Sequence, residues 1–571
     1  MPLNFVICLL LFVGLTFGVA WPLASRLMLD PAEKLGASAM LSLLATYVIT
    51  FAIYVLRLPN AALGVLPLLA AVGFIAGWKQ LCLTLRDADA RGLFVGQLLV
   101  SGWCIGWLSF IANYSGGGWT ADWFEHWQRS RFFLEHWPQD TKFLNLYPLP
   151  ARPPLANLCV GAYLGLTGIT FSKYQMVMSL LNSLAFLPAA LLARRFAAQP
   201  SAPATAGRMA IAVITLLVLL NPSFLENATF AWTKLITACF VLSGLYFFLR
   251  ARDAAPAPAA LPLCAASLAA GLLAHYSAGP YIVLLAGAWF GLNRARLRSP
   301  AFWRQTGLAA AVGGLILATW FGWSLAVYGA HTTFLSNSSV TVKAAQTGNV
   351  LVKTLLNLRD TIVPHFLRPL NRDLIAQSSP WGYWRDWFFQ LYQVNLFFIF
   401  GSVAWLVILR ELARSWPLAL PTPRRFWTWF AAGAIVLGVA VHGARDTWGL
   451  AHICLQSLMI LGLGYLAARW ATLSRGWRLA LVAGLAIDFC LGIALQFGVE
   501  SYAIDRWLTP GRTVTETINS YSSLATMNVY AKIYGKTEFL GDVLIIPAAL
   551  VLALLAGILS LAVARATRRP V

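Results

Sequence analysis

Charge is what this chain has least of. Only 11% of its 571 residues are charged and 59% are hydrophobic, whereas a soluble domain carries about a quarter charged residues. That leaves too little polar surface to face water, in keeping with a mean hydropathy of +0.69. Motifs are scarce as well. The eight cysteines (Cys8, Cys82, Cys104, Cys159, Cys239, Cys264, Cys454 and Cys490) form no CxxC and sit in or beside apolar stretches. They read as small buried hydrophobes rather than a disulfide framework. The seven histidines form no HxH or HxxxH pair, so no built-in metal site is expected. There is no Walker A sequence and no GxGxxG. The run Ser115–Gly118 follows no strand and reads as a linker rather than a phosphate cradle, which argues against an ATP-driven pump. No polar domain gathers the basic residues either, so the net charge of +21 excludes a nucleic-acid binder of the usual kind.

What is present is a succession of apolar runs of the length that crosses about 30 Å of hydrocarbon. They lie near 4–21, 38–56, 61–78, 93–112, 174–193, 209–221, 233–249, 259–274, 279–292, 306–328, 391–409, 427–441, 451–468, 478–495 and 543–564. No Lys or Arg precedes the first of them, so it reads as a retained helix rather than a removable signal. Short Arg-rich stretches (194–208, 250–253, 294–304, 410–425, 469–478 and 565–569) separate pairs of later runs. The positive-inside rule places all of these in the cytoplasm. The complementary loops, 113–155, 221–232, 275–278, 329–390, 442–450 and 496–542, are then periplasmic or extracellular. Parity requires that the apolar stretch 155–170 not cross independently, so it reads as a partial or re-entrant helix. His126, His136, His275, His331, His365, His442 and His452 all fall in or at the edge of outside segments. A chain that gathers its titratable groups on one face is expected to do its chemistry there.

Loop 113–155 holds the densest pattern. Asp122, Glu125 and His126 stand at i, i+3 and i+4 of an amphipathic segment, which puts them on one helical face. A carboxylate beside a His or a second carboxylate suits general acid–base work. The same spacing also suits an interfacial helix with solvated charges. Downstream, the Pro-rich turn Tyr147–Pro154 fixes the backbone and presents Arg152, whose fork can clamp a phosphate.

These pieces resemble the GT-C glycosyltransferases. The match is closest to the protein mannosyltransferase and aminoarabinose transferase branch, glycosyltransferase family 39. It is carried by Asp122, the segment Glu125–Glu135, Arg152-Pro153-Pro154-Leu155 and Leu164–Gly168, with Asn221-Pro222, Trp232-Thr233-Lys234 and His275-Tyr276-Ser277 further on. The resemblance implies an all-α polytopic membrane protein, a GT-C-type bundle whose first large periplasmic loop carries amphipathic helices. It implies an inverting enzyme that moves a sugar from a polyprenyl-phosphate donor to a lipid, glycan or protein acceptor, with Asp122 as general base and Arg152 near the donor phosphate. Two departures stand out. Many relatives have Asp-Glu in succession, whereas Trp123 follows Asp122 here and Glu125 is the next carboxylate. About three extra helices also precede the loop. The implied organisation is therefore residues 1–92 as extra N-terminal helices, 93–328 as the core, 329–390 as a long outside loop and 391–571 as C-terminal helices.

Further candidate phosphate ligands are Lys234, His275, Arg445 and His452; each also has a structural reading as a snorkelling, helix-end or locally paired group. Glu226 and Asn227 are weaker candidates. Loop 329–390 contributes Lys343, Arg359, Asp360, His365, Arg368 and the aromatic run Trp381–Trp387, a possible substrate lid. No cofactor is expected, and a divalent metal stays open. The partners expected are the lipid-linked donor, its acceptor and membrane lipids, in a bacterial inner membrane with the site facing outward. Two alternatives remain: a transporter or flippase of lipid-linked sugars, and an O-antigen ligase or polymerase type of enzyme. Charges at one face and the lack of a repeat favour the first reading over the transporter.

Overall fold

Helices close every backbone hydrogen bond within one segment, which is what a hydrocarbon surrounding demands of a chain this apolar. A computed structural model of the protein describes residues 2–109, 122–198, 203, 205–337, 349–368, 391–415 and 423–494. Among these residues the regular structure is helical, and the single β-type contact is an isolated bridge between Phe143 and Tyr147. Five helices are long and apolar enough to cross a bilayer: Phe5–Ala24, Pro31–Val55, Phe171–Ala197, Pro300–Leu335 and Arg475–Ile493. Two bent pairs raise the number to seven if each is one span, Asn60–Ala76 with Trp78–Arg86 (68°) and Ala206–Leu220 with Pro222–Thr229 (71°). The chain is an all-α integral membrane protein. Ser115–Gly118, Lys343, Trp381–Trp387, the 496–542 loop and the 543–564 run lie outside the described residues.

The layers are set by how apolar each helix is all round. Phe171–Ala197 is buried along its whole apolar window and forms the centre, whereas Pro300–Leu335 is only 11% buried and lies at the edge. Side-chain caps start several helices. Asp30 and Glu33 form a reciprocal capping box ahead of Pro31–Val55, and Asp87 accepts from the backbone of Asp89 and Ala90 ahead of Ala88–Leu108.

The arginine-rich turns gather at one end of the bundle. There Arg194 donates to both oxygens of Asp30 at 2.9–3.0 Å and to Asp89 at 2.9 Å. Arg250 reaches Glu33 at 2.9 Å, and it shares Asp253 with Arg195. Glu411 takes Arg410 and Arg469. The described parts of the loops at 122–155, 221–232, 275–278 and 442–450 collect away from it, around Arg152 and Lys234.

Two apolar stretches depart from simple spans. The stretch 155–170 forms the helix Leu155–Thr167, which runs beside the amphipathic helix Asp122–Glu135. His126 faces Asn157 near their starts, and a side chain on Gly165 would press on Leu134 and Leu63 near their ends. The nearer of the two is the end of the Leu63 side chain, from the turn Asn60–Gly64. The stretch expected as a span at 391–409 is not one helix. It breaks at a 3-10 turn, Phe398–Phe400, and at Gly401, and a new helix begins only at Ala404. Gly401 has φ +111°, outside the helical region and a conformation that favours glycine, and a Cβ there would lie 2.6 Å from Leu485.

Candidate active site

The helix Asp122–Glu135 is amphipathic, and its buried face includes Trp123, Glu125, His126, Arg129 and Phe133. Aromatic contacts fix it: Trp123 and Trp127 pack on Phe171 at 4.9 and 5.7 Å, and the Tyr174 hydroxyl donates to the Trp123 carbonyl. Its three candidate residues then separate by environment. Glu125 is fully buried, and its Oε1 accepts from Arg129 at 2.8 Å. His126 Nδ1 lies 3.2 Å from the Asn157 carbonyl oxygen, so Nδ1 donates and carries the ring proton. Asp122, at the helix start, keeps 28% of its side chain exposed. It is the carboxylate of the pair that a substrate can reach.

Arg152 joins them from the Pro-rich turn. Its Nη2 lies 4.0 Å from Asp122 and its Nε 3.5 Å from Glu125. The turn is held in place by carbonyls. Arg129 donates to Leu149 at 2.7 Å and to Pro148 at 3.2 Å, and the Tyr276 hydroxyl donates to Pro150 at 3.1 Å. Arg152 also lines a cavity of about 50 Å³, together with Lys234, His275, Tyr276, Asn337 and His442. Lys234 is the first residue of its helix, Lys234–Arg250, and Asn182 anchors that start through the Trp232 carbonyl and the Ile236 amide. Its ammonium lies 3.0 Å from His275 Nε2, which therefore accepts. The site thus unites the first outside loop, the 232–234 turn, the 275–278 turn and the 438–454 region.

The electrostatics sort the groups further. Burial raises the Asp122 carboxyl above its usual range, with Arg152 opposing the rise and Glu125 adding to it. Burial would raise Glu125 too, but Arg152 and Arg129 hold it below the usual carboxylate value. His126 is pushed down to about 3 by burial, against the pull of Glu125. Burial, then Lys234 and Arg152, drives His275 well below its usual value. Both imidazoles are neutral near pH 7, so the permanent positive charge of the site rests on Arg152.

No protein-family profile matches the chain. The lipoprotein signal peptidase of Deinococcus radiodurans is 27% identical over 120 residues, which is 21% of this chain and 62% of that relative's length. Two solved structures are similar to the fold, each at 17% identity and covering 79% of this chain and 76% of theirs. They are ArnT from Cupriavidus metallidurans bound to undecaprenyl phosphate (TM-score 0.47) and in the apo state (0.45). None of these likenesses assigns a reaction to this chain.

Two candidates stand apart from the cavity lining. Arg445 reaches the fully buried Asp360 at 3.8 Å, beside Arg359 and Arg368. His452 is buried with its ring stacked on Trp232 at 5.5 Å. Glu226 accepts from Gln393 at 2.7 Å, and Gln393 also meets Asn227. In the 349–368 segment, Asp360 and Asn357 pin the 442–450 turn, the latter accepting from the Asp446 amide at 2.8 Å. His365 is buried in that segment. Sequence reasoning left Arg129, Asn157, Asn182 and Asn337 without a role. Only Arg129 carried a signal, its i+4 spacing from Glu125. Asn157 and Asn182 act across long sequence distances and Asn337 lines the cavity, and none of the three had one.

Proposed function

We propose that the protein is an inverting GT-C-type glycosyltransferase that uses a polyprenyl-phosphate-linked sugar on the periplasmic face. The observation that carries this reading is the juxtaposition of a partly exposed carboxylate, Asp122, with a guanidinium that also lines a cavity shared with the amine of Lys234. Glycosyl transfer from a phosphate donor needs those two functions side by side. The acceptor hydroxyl oxygen attacks C1 and its proton passes to the Asp122 carboxylate. The C1–O bond to phosphate breaks, and the electron pair leaves with the polyprenyl phosphate. Arg152 and Lys234 meet the charge that collects there. Attack from the side opposite the leaving group inverts C1. A positioned base contributes roughly 10²–10⁴-fold, and burial raises Asp122 toward the working pH, where a base is most effective. The apolar bundle gives the donor's lipid a reason to be met inside a membrane. The sequence resemblance through Asp122 and Arg152-Pro153-Pro154-Leu155 supports the same reading.

The test is transfer of radiolabelled sugar from a panel of polyprenyl-phosphate donors in membranes holding the intact protein, set against Asp122→Asn at matched expression. Transfer by the intact protein, abolished in the variant while donor binding persists, is the expected outcome. An intact protein that transfers nothing from the whole panel puts the carrier and ligase readings ahead. A fully active Asn variant removes the base from Asp122.

A further inference from the structure

Two arginines flank Glu125, and they are held very differently. Arg129 is spoken for at every nitrogen: Nε and Nη2 meet Glu125 Oε1 at 2.8 Å, while Nη1 and Nη2 donate to the carbonyls of Leu149 and Pro148. The Phe143 ring lies 4.3 Å from its guanidinium carbon, and only 1% of the side chain is exposed. Among the described residues Arg152 is held more loosely. Charge-assisted hydrogen bonds run at about 2.7–2.9 Å, and its approaches to Glu125 Oε2 and Asp122 Oδ1 are 3.5 and 4.0 Å. It is also the one of the two that lines the cavity. Glu125 itself has no exposed surface, and one oxygen is consumed by Arg129. It cannot touch a substrate.

Resting on the reading above, we propose that Glu125 is a positioning residue for Arg152, and that this guanidinium serves two anions in turn: Asp122 before the donor phosphate arrives, and the phosphate afterwards. Arg129 locks Glu125 to the turn that carries Arg152, so Glu125 acts as a fixed tether that limits how far the guanidinium swings. The charged groups that face Asp122 are Arg152, Glu125 and Lys234. When a phosphate in the cavity draws Arg152 away, Asp122 loses its nearer cation while Glu125 stays close. Its affinity for a proton rises at the step that needs a base. Donor binding therefore switches on proton removal, and the acceptor hydroxyl is activated only when there is a sugar to receive it.

Asp122 protonation can be read without turnover, by carbodiimide labelling of the purified full chain at a series of pH values and mass spectrometry of the Asp122 peptide. Undecaprenyl phosphate is the probe. The labelling midpoint is expected to rise by about one pH unit when the lipid is added. Without lipid it is expected to fall in Glu125→Gln, because a negative neighbour is gone and Arg152 passes wholly to Asp122. Glu125→Asp, which keeps the charge and serves if the Gln variant unfolds, is expected to lie between. The acid limb of the rate–pH profile should move with the midpoint. A midpoint unmoved by bound lipid overturns the proposal, as does a Gln variant that is slower at every pH with its limb unshifted. If the midpoint moves but no donor supports transfer, the glycosyltransferase reading falls and the shared arginine stands. If transfer proceeds and the midpoint stays fixed, the reverse holds.

Discussion

At the arginine-rich end of the bundle, Arg194, Arg195 and Arg250 sit among Asp30, Glu33, Asp89 and Asp253 at ordinary hydrogen-bonding distances. At the loop end, Arg152 stands 3.5–4.0 Å from its carboxylates, and Lys234 is met by an imidazole. Both ends are rich in opposite charge, yet the first pairs its arginines closely and the second leaves Arg152 loosely held. A network of close pairs joins helices. A network left loose, with cations turned to a cavity, has attraction in reserve for an anion that is not part of the chain. The difference separates a structural cluster from a site better than the number of charges does.

Substitutions at the two ends should fail in different ways. The largest effect is expected for Asp122→Asn, a loss of roughly 10²–10⁴-fold in transfer rate with the donor still bound; a smaller loss would make Asp122 a bystander of the cavity. Because that carboxyl is raised by burial, the intact protein's rate should fall with acidification at a pH above the ordinary Asp value of about 3.9. The base must be ionised to accept the proton, so the rate is retained above that limb and lost below it. Arg152→Met comes next. Removing one charged contact to a phosphate, worth about 1.5–3 kcal/mol, should raise the donor KM some ten- to a hundredfold, with little change in thermal unfolding. Arg194→Met should do the converse, lowering stability by about 1–2 kcal/mol with KM unchanged, the figure kept small because the pairs are partly exposed. If the two arginine variants behaved alike, the contrast between the ends would collapse. Arg131→Ala sets the lower bound. Its pair with Glu135 is about one-third exposed, and stability should change by no more than about 0.5 kcal/mol.

Much of this was legible beforehand. Apolar length gave most helices, and the stretch 155–170 forms a helix of 13 residues, shorter than the candidate spans. The spacing of Asp122, Glu125 and His126 gave a shared face, and the Pro-rich turn marked Arg152. What spacing could not say is which carboxylate of the face is reachable. That depends on Arg129 bonding Glu125 and two carbonyls some 20 residues away, and on Asn157 taking His126. The break inside 391–409 was equally hidden. Hydropathy sees an unbroken apolar run, whereas the backbone turns at Gly401, where φ is +111°. The approach of Arg445 to Asp360 was hidden as well, since the two lie in different loops.

The ion pairs that tie Asp30 to Arg194 and Glu33 to Arg250 span 164 and 217 residues of sequence. A ribosome adding 5–20 residues per second needs roughly 10–40 s to make that much chain. For that time the two N-terminal acids are already made while their arginines are not, so the first helices must wait, held by their own capping box, for the centre of the bundle to be synthesised. Assembly of this end is therefore late, and a chain cut short before residue 194 would leave it permanently unclosed.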